Sequence, residues 1–266
     1  MPEGDTVWRT ARRLHEVLAG RPLTATDFRV SRFATVQLAG RTVLDVQSRG
    51  KHLLIHVEPA VTVHSHLGMD GSWRVFSVQQ RLPQPPRSFI RVILTTQSHR
   101  AVGYNLSVLD VLTPEEETAV LQHLGPDLLG PHWDPAEAER RLGSDPDRPI
   151  GDALLDQRNL AGIGNVFRCE LCFLRGVSPW TPVRAAGDLA SWVDLAHRVL
   201  THNRDRGARV TASHRPGRTY WVYGQARCQR CGGPVQRAPQ DGVGSERVTY
   251  WCPHCQPGPS PAAETR

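Results

Sequence analysis

Lysine is nearly missing from this chain. Of its 32 basic residues only Lys51 is a lysine, and the other 31 are arginines. Whatever bias filled the sequence with arginine spared one position. An arginine cannot give up its proton in a protein, whereas a lysine ammonium can donate one and regain it, as a compact point charge rather than a fork. Lys51 stands in Arg49-Gly50-Lys51-His52, between two strand-like runs, where a turn would hold its side chain. We read it as a site residue.

Long apolar runs are missing as well. No stretch of about 18 apolar residues occurs, which excludes a membrane-spanning helix. Arg9, Arg12 and Arg13 interrupt the apolar positions near the N-terminus and leave no signal-peptide core. The chain is therefore expected to be cytoplasmic, with reduced thiols, so its six cysteines read as ligands rather than disulfides. No internal repeat is visible. A length of 266 residues fits one large domain or two of ordinary size. The net charge of +6 and the isoelectric point near 9.3 rest almost wholly on arginine, whose forks match phosphate oxygens, so the balance suits a polyanionic partner.

What is present starts with Met1-Pro2-Glu3-Gly4-Asp5. Once Met1 is removed, Pro2 offers a secondary α-amine, and such an amine titrates near ~7.7–8, so part of it is a free nucleophile at neutral pH. Its attack on an aldehyde carbon gives a charged iminium, an electron sink for eliminations. Glu3 beside it can move the protons that this chemistry needs.

Val7, Ala11, Leu14 and Leu18 recur at helical spacing and predict an amphipathic helix from Thr6 to Ala19. Short β-branched segments follow at Thr42–Gln47, His52–Val57, Val61–His66, Ser72–Phe76, Phe89–Thr95 and Ala101–Leu112. They are punctuated by Gly50, Gly71 and Pro83-Gln84-Pro85-Pro86. Strands without intervening helices imply an antiparallel sandwich or barrel. After Thr113-Pro114 the pattern turns helical, at Glu115–Leu124, Pro135–Leu142, Ile150–Leu155, Asn165–Arg175 and Leu189–Arg204. The expected layout is an α+β chain in parts: a leading helix and β-sandwich over 1–113, a helical domain over 114–223, a metal module over 224–257 and a disordered tail over 258–266.

Cys228-x2-Cys231 and Cys252-x2-Cys255, with 20 residues between the pairs, fit a structural zinc held by two knuckles and a hairpin. Four thiolates fill that site, so the zinc is not catalytic, and no other cofactor is expected. Arg227, Arg230, Arg237 and Arg247 decorate the module and suit phosphate contact. Cys169-x2-Cys172 has knuckle spacing but no second pair, and reads as core. Leu160-Ala161-Gly162-Ile163-Gly164-Asn165 is a turn between two predicted helices that would expose N–H groups at the second helix's start to a phosphate, with the Asn165 amide added. His64 and His66 share a sheet face and read as a packed or hydrogen-bonded pair. Met69, between Gly68 and Gly71, would be an exposed apolar tip of the kind that fills a vacated base stack.

Together these motifs resemble the bacterial formamidopyrimidine-DNA glycosylase/endonuclease VIII family. The resemblance runs through the Pro-Glu-Gly start, Arg49-Gly50-Lys51-His52-Leu53-Leu54, His66-Leu67-Gly68-Met69-Asp70-Gly71, Gly125-Pro126-Asp127, Leu154-Leu155-Asp156-Gln157 into Gly162-Ile163-Gly164-Asn165, and the closing cysteine hairpin. It implies a bifunctional enzyme of base excision repair that flips an oxidised base from double-stranded DNA, cleaves its glycosidic bond and nicks the strand by β/δ-elimination. Carried over by position, Pro2 forms the Schiff base at C1′, Glu3 moves protons and Lys51 is a proton donor. Arg247 holds phosphate and assists δ-elimination, and Gly164 and Asn165 bind the backbone in a helix–two-turn–helix element. A monomer associated with the nucleoid is expected.

Three departures refine the expectation. Asp5-Thr6 follow Gly4 where the family often has Pro-Glu. The Arg/Phe-bearing loop of the formamidopyrimidine branch has no counterpart in Tyr104-Asn105-Leu106-Ser107-Val108, which favours the endonuclease VIII branch and oxidised pyrimidines. That branch's Gln-Leu-Tyr wedge stands here as Gly68-Met69-Asp70. The alternatives are a non-catalytic DNA-binding zinc protein on the same scaffold, which needs neither Pro2 nor Lys51, and a tautomerase-like use of Pro2, which needs no zinc hairpin.

Overall fold

The computed structural model describes residues 2–82, 89–212, 219–242 and 245–261, so Met1 and the Pro83-Gln84-Pro85-Pro86 stretch lie outside the described residues. The chain divides into two units, Met1–His123 and Leu124–Arg266.

The first unit opens with α1 (Gly4–Leu18), which buries Val7, Ala11, Leu14 and Leu18, the apolar stripe read from the sequence. It starts two residues earlier than expected because Gly4 and Asp5 are themselves buried. Asp5 lies in the first turn, where a carboxylate is favoured by the helix dipole, and Arg9 Nη1 lies 3.5 Å from it. Two four-stranded sheets follow. The first holds β1 (Ala25–Phe28), β6 (Ile90–Thr95), β7 (His99–Tyr104) and β5 (Ser72–Ser77) in that spatial order. The second holds β2 (Val43–Arg49), β3 (His52–Val57), β4 (Val61–His66) and β8 (Val108–Leu112). Their pairings are antiparallel.

One core joins α1 to both sheets, through Leu53, Ile55, Val57 and Val63 on one side and Trp73, Val92, Leu94 and Ala101 on the other. Trp73 Nε1 donates to Ser65 Oγ at 3.1 Å across that core. The expected antiparallel sandwich with a leading helix is thus present. The single run expected over Ala101–Leu112 is two strands. Asn105 adopts φ 46, a left-handed conformation that asparagine tolerates, and the chain passes there from one sheet to the other. The sequence reading missed β1, whose Ala-Thr-Asp-Phe carries only one buried residue. It exists because it pairs with the edge of β6.

Side chains alternate across a strand, and the second sheet uses this to carry a polar outer face. His52 and His56 of β3, Thr62, His64 and His66 of β4, and Asp110 of β8 all share it, as the register requires. Helix α2 (Pro114–Leu121) packs on this face within the first unit. Its Glu117 lies 3.2 Å from His56 Nε2 and accepts from Thr62 Oγ1, while Asp45 Oδ1 lies 2.5 Å from His56 Nδ1. Thr113 and Glu116 form a capping box that starts α2.

In the second unit, α3 (Pro135–Leu142), α4 (Ile150–Leu155), α5 (Asn165–Arg175) and α6 (Leu189–Arg204) have the bounds expected from the sequence. Helix α5 is its hub, with Asn165 through Phe173 all buried. Strands β9 (Gln236–Gly242) and β10 (Ser245–Trp251) form the closing hairpin. The chain expected to be a tail from Gly258 starts docked, with Ser178 Oγ donating to the Pro259 carbonyl. Residues 262–266 lie outside the described residues.

Candidate active site and nucleic-acid interface

Glu3 caps α1 and is fully buried. Its carbonyl accepts the N–H groups of Thr6 and Val7 at 2.9 and 3.0 Å, so the helix begins immediately after the pair Pro2-Glu3. Pro2 is half-buried just outside the helix. A chain end held in this way has little freedom to fray.

Lys51 sits where its motif implied, on the turn between β2 and β3. Arg49 pairs with His52, leaving Gly50 and Lys51 as a two-residue hairpin connection. Gly50 takes φ 58, which glycine supplies at no steric cost. Lys51 is half-buried, and around it stand histidines. His52 Nδ1 lies 2.9 Å from His64 Nε2, their rings stacked with centroids 5.1 Å apart. The His66 and His123 rings meet His52 edge-on at 5.4 and 6.3 Å.

The setting of His52, His64 and His66 favours the neutral ring. Burial, then the neighbouring His64, His66, His123 and Lys51, push His52 down to about 3. Burial, then Lys51 and His64, push His66 down to about 4. Burial also lowers His64, against the opposing pull of Asp110. Geometry agrees: the Gly68 N–H donates to His66 Nδ1 at 3.0 Å, so that nitrogen is an acceptor and carries no proton. The lowered values of His52 and His66 share Lys51 as a cause, which puts the one lysine beside both.

The bond from Gly68 also ties His66 to the loop that carries Met69. Gly68 takes φ 62, and a Cβ there would come within 2.8 Å of the Ser107 side chain. At Gly71 a Cβ would come within 2.2 Å of the Leu67 carbonyl oxygen. Both glycines are required for the turn to close. Met69 projects from it with 55% of its surface exposed, an apolar tip as expected. Between β7 and β8 only Asn105, Leu106 and Ser107 intervene, so the stretch that lacks the Arg/Phe-bearing loop is a three-residue turn.

In the second unit the Gly162–Asn165 turn opens α5, with Gly162 at φ 112 and Gly164 as N-cap. Asn165 is buried rather than displayed. Its Nδ2 donates to the Val248 carbonyl at 2.9 Å, next to Arg247 on β10, and its Oδ1 accepts from Arg168 Nη2 at 2.5 Å. The turn and the hairpin, distant in sequence, thus meet at one amide.

Cys228, Cys231, Cys252 and Cys255 bring their sulfurs within 4.8 Å of one another. The Cys228–Cys255 and Cys231–Cys252 separations are 3.8 and 3.6 Å, too long for disulfides. Four sulfurs about 2.3 Å from a tetrahedral zinc would stand roughly 3.8 Å apart, so the thiols fit such an ion. Cys169 and Cys172 are buried in α5 and take no part in this cluster. Cys169 has a different use, since its sulfur accepts the Tyr250 N–H at 3.4 Å.

Not every arginine of the module has the setting expected. The Arg230 guanidinium lies on the Phe173 ring at 4.3 Å and near that of Trp221 at 5.5 Å, and Arg227 Nη1 donates to the Gly232 carbonyl at 3.2 Å. Sequence reasoning missed three residues that organise these sites. Glu170, fully buried, accepts the N–H groups of Trp221, Val222 and Tyr223 at 2.8–2.9 Å. His52 is missed because its partner His64 is set by strand register. Arg168 left one signal, a charge amid the apolar residues of a predicted helix.

Residues 1–107 match the profile of the formamidopyrimidine-DNA glycosylase N-terminal domain. The chain is 58% identical over 265 residues, 98% of its length and 96% of the relative's, to a Streptomyces coelicolor protein named "Probable endonuclease 8 2". It is 48% identical over 96% of its length and 99% of the relative's to the DNA-(apurinic or apyrimidinic site) lyase Nei2 of Mycolicibacterium smegmatis. Its fold matches Lactococcus lactis Fpg in complex with abasic-site DNA, with a TM-score of 0.76, 19% identity, and coverage of 96% of this chain and 100% of the other.

Proposed function

The chain belongs to the formamidopyrimidine-DNA glycosylase/endonuclease VIII family, and from that membership and its own geometry we propose that it is a bifunctional DNA glycosylase and abasic-site lyase acting on oxidised bases. The observation that carries the reading is the setting of the single lysine: Lys51 on a glycine turn, beside His52 and His66, whose protons burial disfavours, in the same unit as the Pro2-Glu3 pair.

The Pro2 nitrogen, freed by loss of Met1, attacks C1′ of the damaged nucleoside, and the glycosidic bond to the base breaks. A proton on that amine is disfavoured by the positive end of α1, which keeps the nucleophile available. Ring opening at the sugar oxygen requires a proton, which Lys51 donates while His52 and His66, with their lowered proton affinity, stay neutral. The C1′ iminium then acidifies the C2′ hydrogens, Glu3 accepts one, and the bond from C3′ to its phosphate breaks. A second elimination removes the C4′ proton and breaks the C5′–O bond, and the departing phosphate is held by Arg247.

Zinc held by Cys228, Cys231, Cys252 and Cys255 has a structural role: it keeps the hairpin that carries Arg247 folded. Met69 fills the stack vacated by the extruded base. The three-residue turn at Asn105–Ser107 leaves no loop to read a purine lesion, which favours oxidised pyrimidines. The partner is damaged double-stranded DNA, bound by a monomer at the nucleoid.

Borohydride trapping on lesion-bearing duplexes tests the core of this reading. A covalent adduct is expected with the native N-terminus, whose intact mass lacks Met1, and none when a tag blocks Pro2. Tight binding to lesion DNA without any adduct from the native chain would replace the enzyme by the non-catalytic DNA-binding alternative.

A further inference from the structure

Arg168 is fully buried, yet its guanidinium is poorly provided for. Among the described residues only Nη2 makes a hydrogen bond, the one to Asn165 Oδ1 at 2.5 Å. Among the described residues Nε and Nη1 have no hydrogen-bond partner, and Asp152 Oδ1 stands 3.8 Å from Nη1. Burying a charge with donors unmet costs stability. A methionine or leucine would fill the space without that cost, so the residue at this place calls for another reason.

The reason lies in what the one good bond does. Asn165 and Arg168 are three residues apart on α5 and therefore neighbours on one face. With its oxygen turned to Arg168, the Asn165 amide can present only N–H groups elsewhere. One of them holds the Val248 carbonyl. One helical turn further, Cys169 holds the Tyr250 N–H. Four helical residues rise about 6 Å and two strand residues about 6.8 Å, so positions 165 and 169 of α5 meet 248 and 250 of β10 in step. Both bonds use the edge of β10 that β9 does not pair. They hold the strand that carries Arg247 against the start of α5.

We propose that Arg168 is a positioning residue for DNA binding: it locks the Asn165 amide in the donor-outward orientation and so keeps β10, with Arg247, at the N-terminus of α5. Without it the amide can turn over, releasing Val248 and offering a carbonyl oxygen to a phosphate. The inference rests on the reading above that Asn165 and Arg247 contact the DNA backbone.

The test measures affinity for a duplex holding a tetrahydrofuran abasic-site analogue, across a salt series, together with thermal melting of the full chain. Arg168→Met should weaken binding about tenfold, as expected for loss of one buried polar contact. Its salt slope should fall in the same direction as that of Arg247→Ala, which lowers it by about 0.9, because a displaced Arg247 no longer neutralises its phosphate. The Arg168→Met melting temperature should stay level or rise, since an under-paired buried charge has gone. Arg168→Lys, which can make the single bond to Oδ1, should bind within about threefold of wild type.

Wild-type affinity for Arg168→Met while Asn165→Ala binds weakly would overturn the proposal and leave the backbone reading standing. Wild-type affinity and slope for both Asn165→Ala and Arg247→Ala would overturn the two together. A melting temperature that falls in step with affinity, with no recovery in Arg168→Lys, would reduce Arg168 to a packing residue and also overturn the proposal.

Discussion

His52 Nδ1 and His64 Nε2 stand 2.9 Å apart, so one of the two nitrogens carries the proton and the other must not. Full protonation of both rings would set two N–H groups against each other. Asp110, whose Oδ2 lies 3.5 Å from His64 Nδ1, and Glu117 oppose the effect at His64. Burial, with His64, His66, His123 and Lys51 as neighbours, disfavours a proton on His52.

A pH dependence of stability follows from this cluster. His52 and His66 titrate at about 3 and about 4 in the fold, below the ordinary value near ~6.5. The unfolded chain therefore binds their protons first. Their contribution is complete above pH ~6.5 and is lost as pH falls toward 4. His56 runs the other way. Burial alone would lower it, but its bonds to Asp45 and Glu117 win and raise it, so its contribution is present below pH ~6.5 and fades as pH climbs through the raised value. Thermal melts from pH 8 to 4.5 should show the steeper loss on the acid side, and His52→Gln should flatten it. An acid limb unchanged in His52→Gln would assign the loss to other groups.

Lys51→Arg should lose base excision and strand cleavage by at least about 100-fold, the low end of what a general acid supplies. The charge survives this substitution, but the proton cannot leave and the fork is the wrong shape for the turn. Glu3→Gln should stop excision while binding to the abasic-site duplex stays within about threefold, because a buried carboxylate acts here on protons and not on phosphate. Single-turnover assays with a binding titration separate the two. Excision at the wild-type rate by Lys51→Arg would remove the weight placed on the single lysine.

Metal analysis should find one zinc per chain. Cys→Ser at 228, 231, 252 or 255 should release it and cost DNA affinity by freeing the hairpin that carries Arg247. Cys172→Ala should retain the metal, since its thiol belongs to the core of the helical unit. Cys169→Ala should also retain the metal but loosen β10, because it deletes the acceptor for Tyr250 N–H. Two zincs, or none, would contradict this assignment.

Met69→Ala should impair excision from paired lesions more than cleavage of abasic single strands, where no stack needs filling. Among duplexes holding thymine glycol, dihydrouracil or 8-oxoguanine opposite cytosine, the pyrimidine lesions should be excised fastest. Dominant activity on 8-oxoguanine would show that the short turn at Asn105–Ser107 does not exclude purines.

Local signals in this chain decided its local structure. The helical stripe from Val7 to Leu18, the strand runs at His52–Val57 and Val61–His66, and four helices of the second unit are each legible because periodicity acts within one element. The cysteine spacing, the Gly50-Lys51 turn and the glycines that flank Met69 are local in the same sense. What involved two distant segments was decided only by the tertiary structure. The strand Ala25–Phe28 exists by pairing with Ile90–Thr95, and the break at Asn105 reflects a crossing between sheets. His52 finds His64 through register, and Arg168 and Asn165 meet Val248, 83 residues after Asn165, only once the closing hairpin docks on α5. A side chain's propensity is written in its neighbours along the chain, but the partner that satisfies a buried polar atom is chosen by packing.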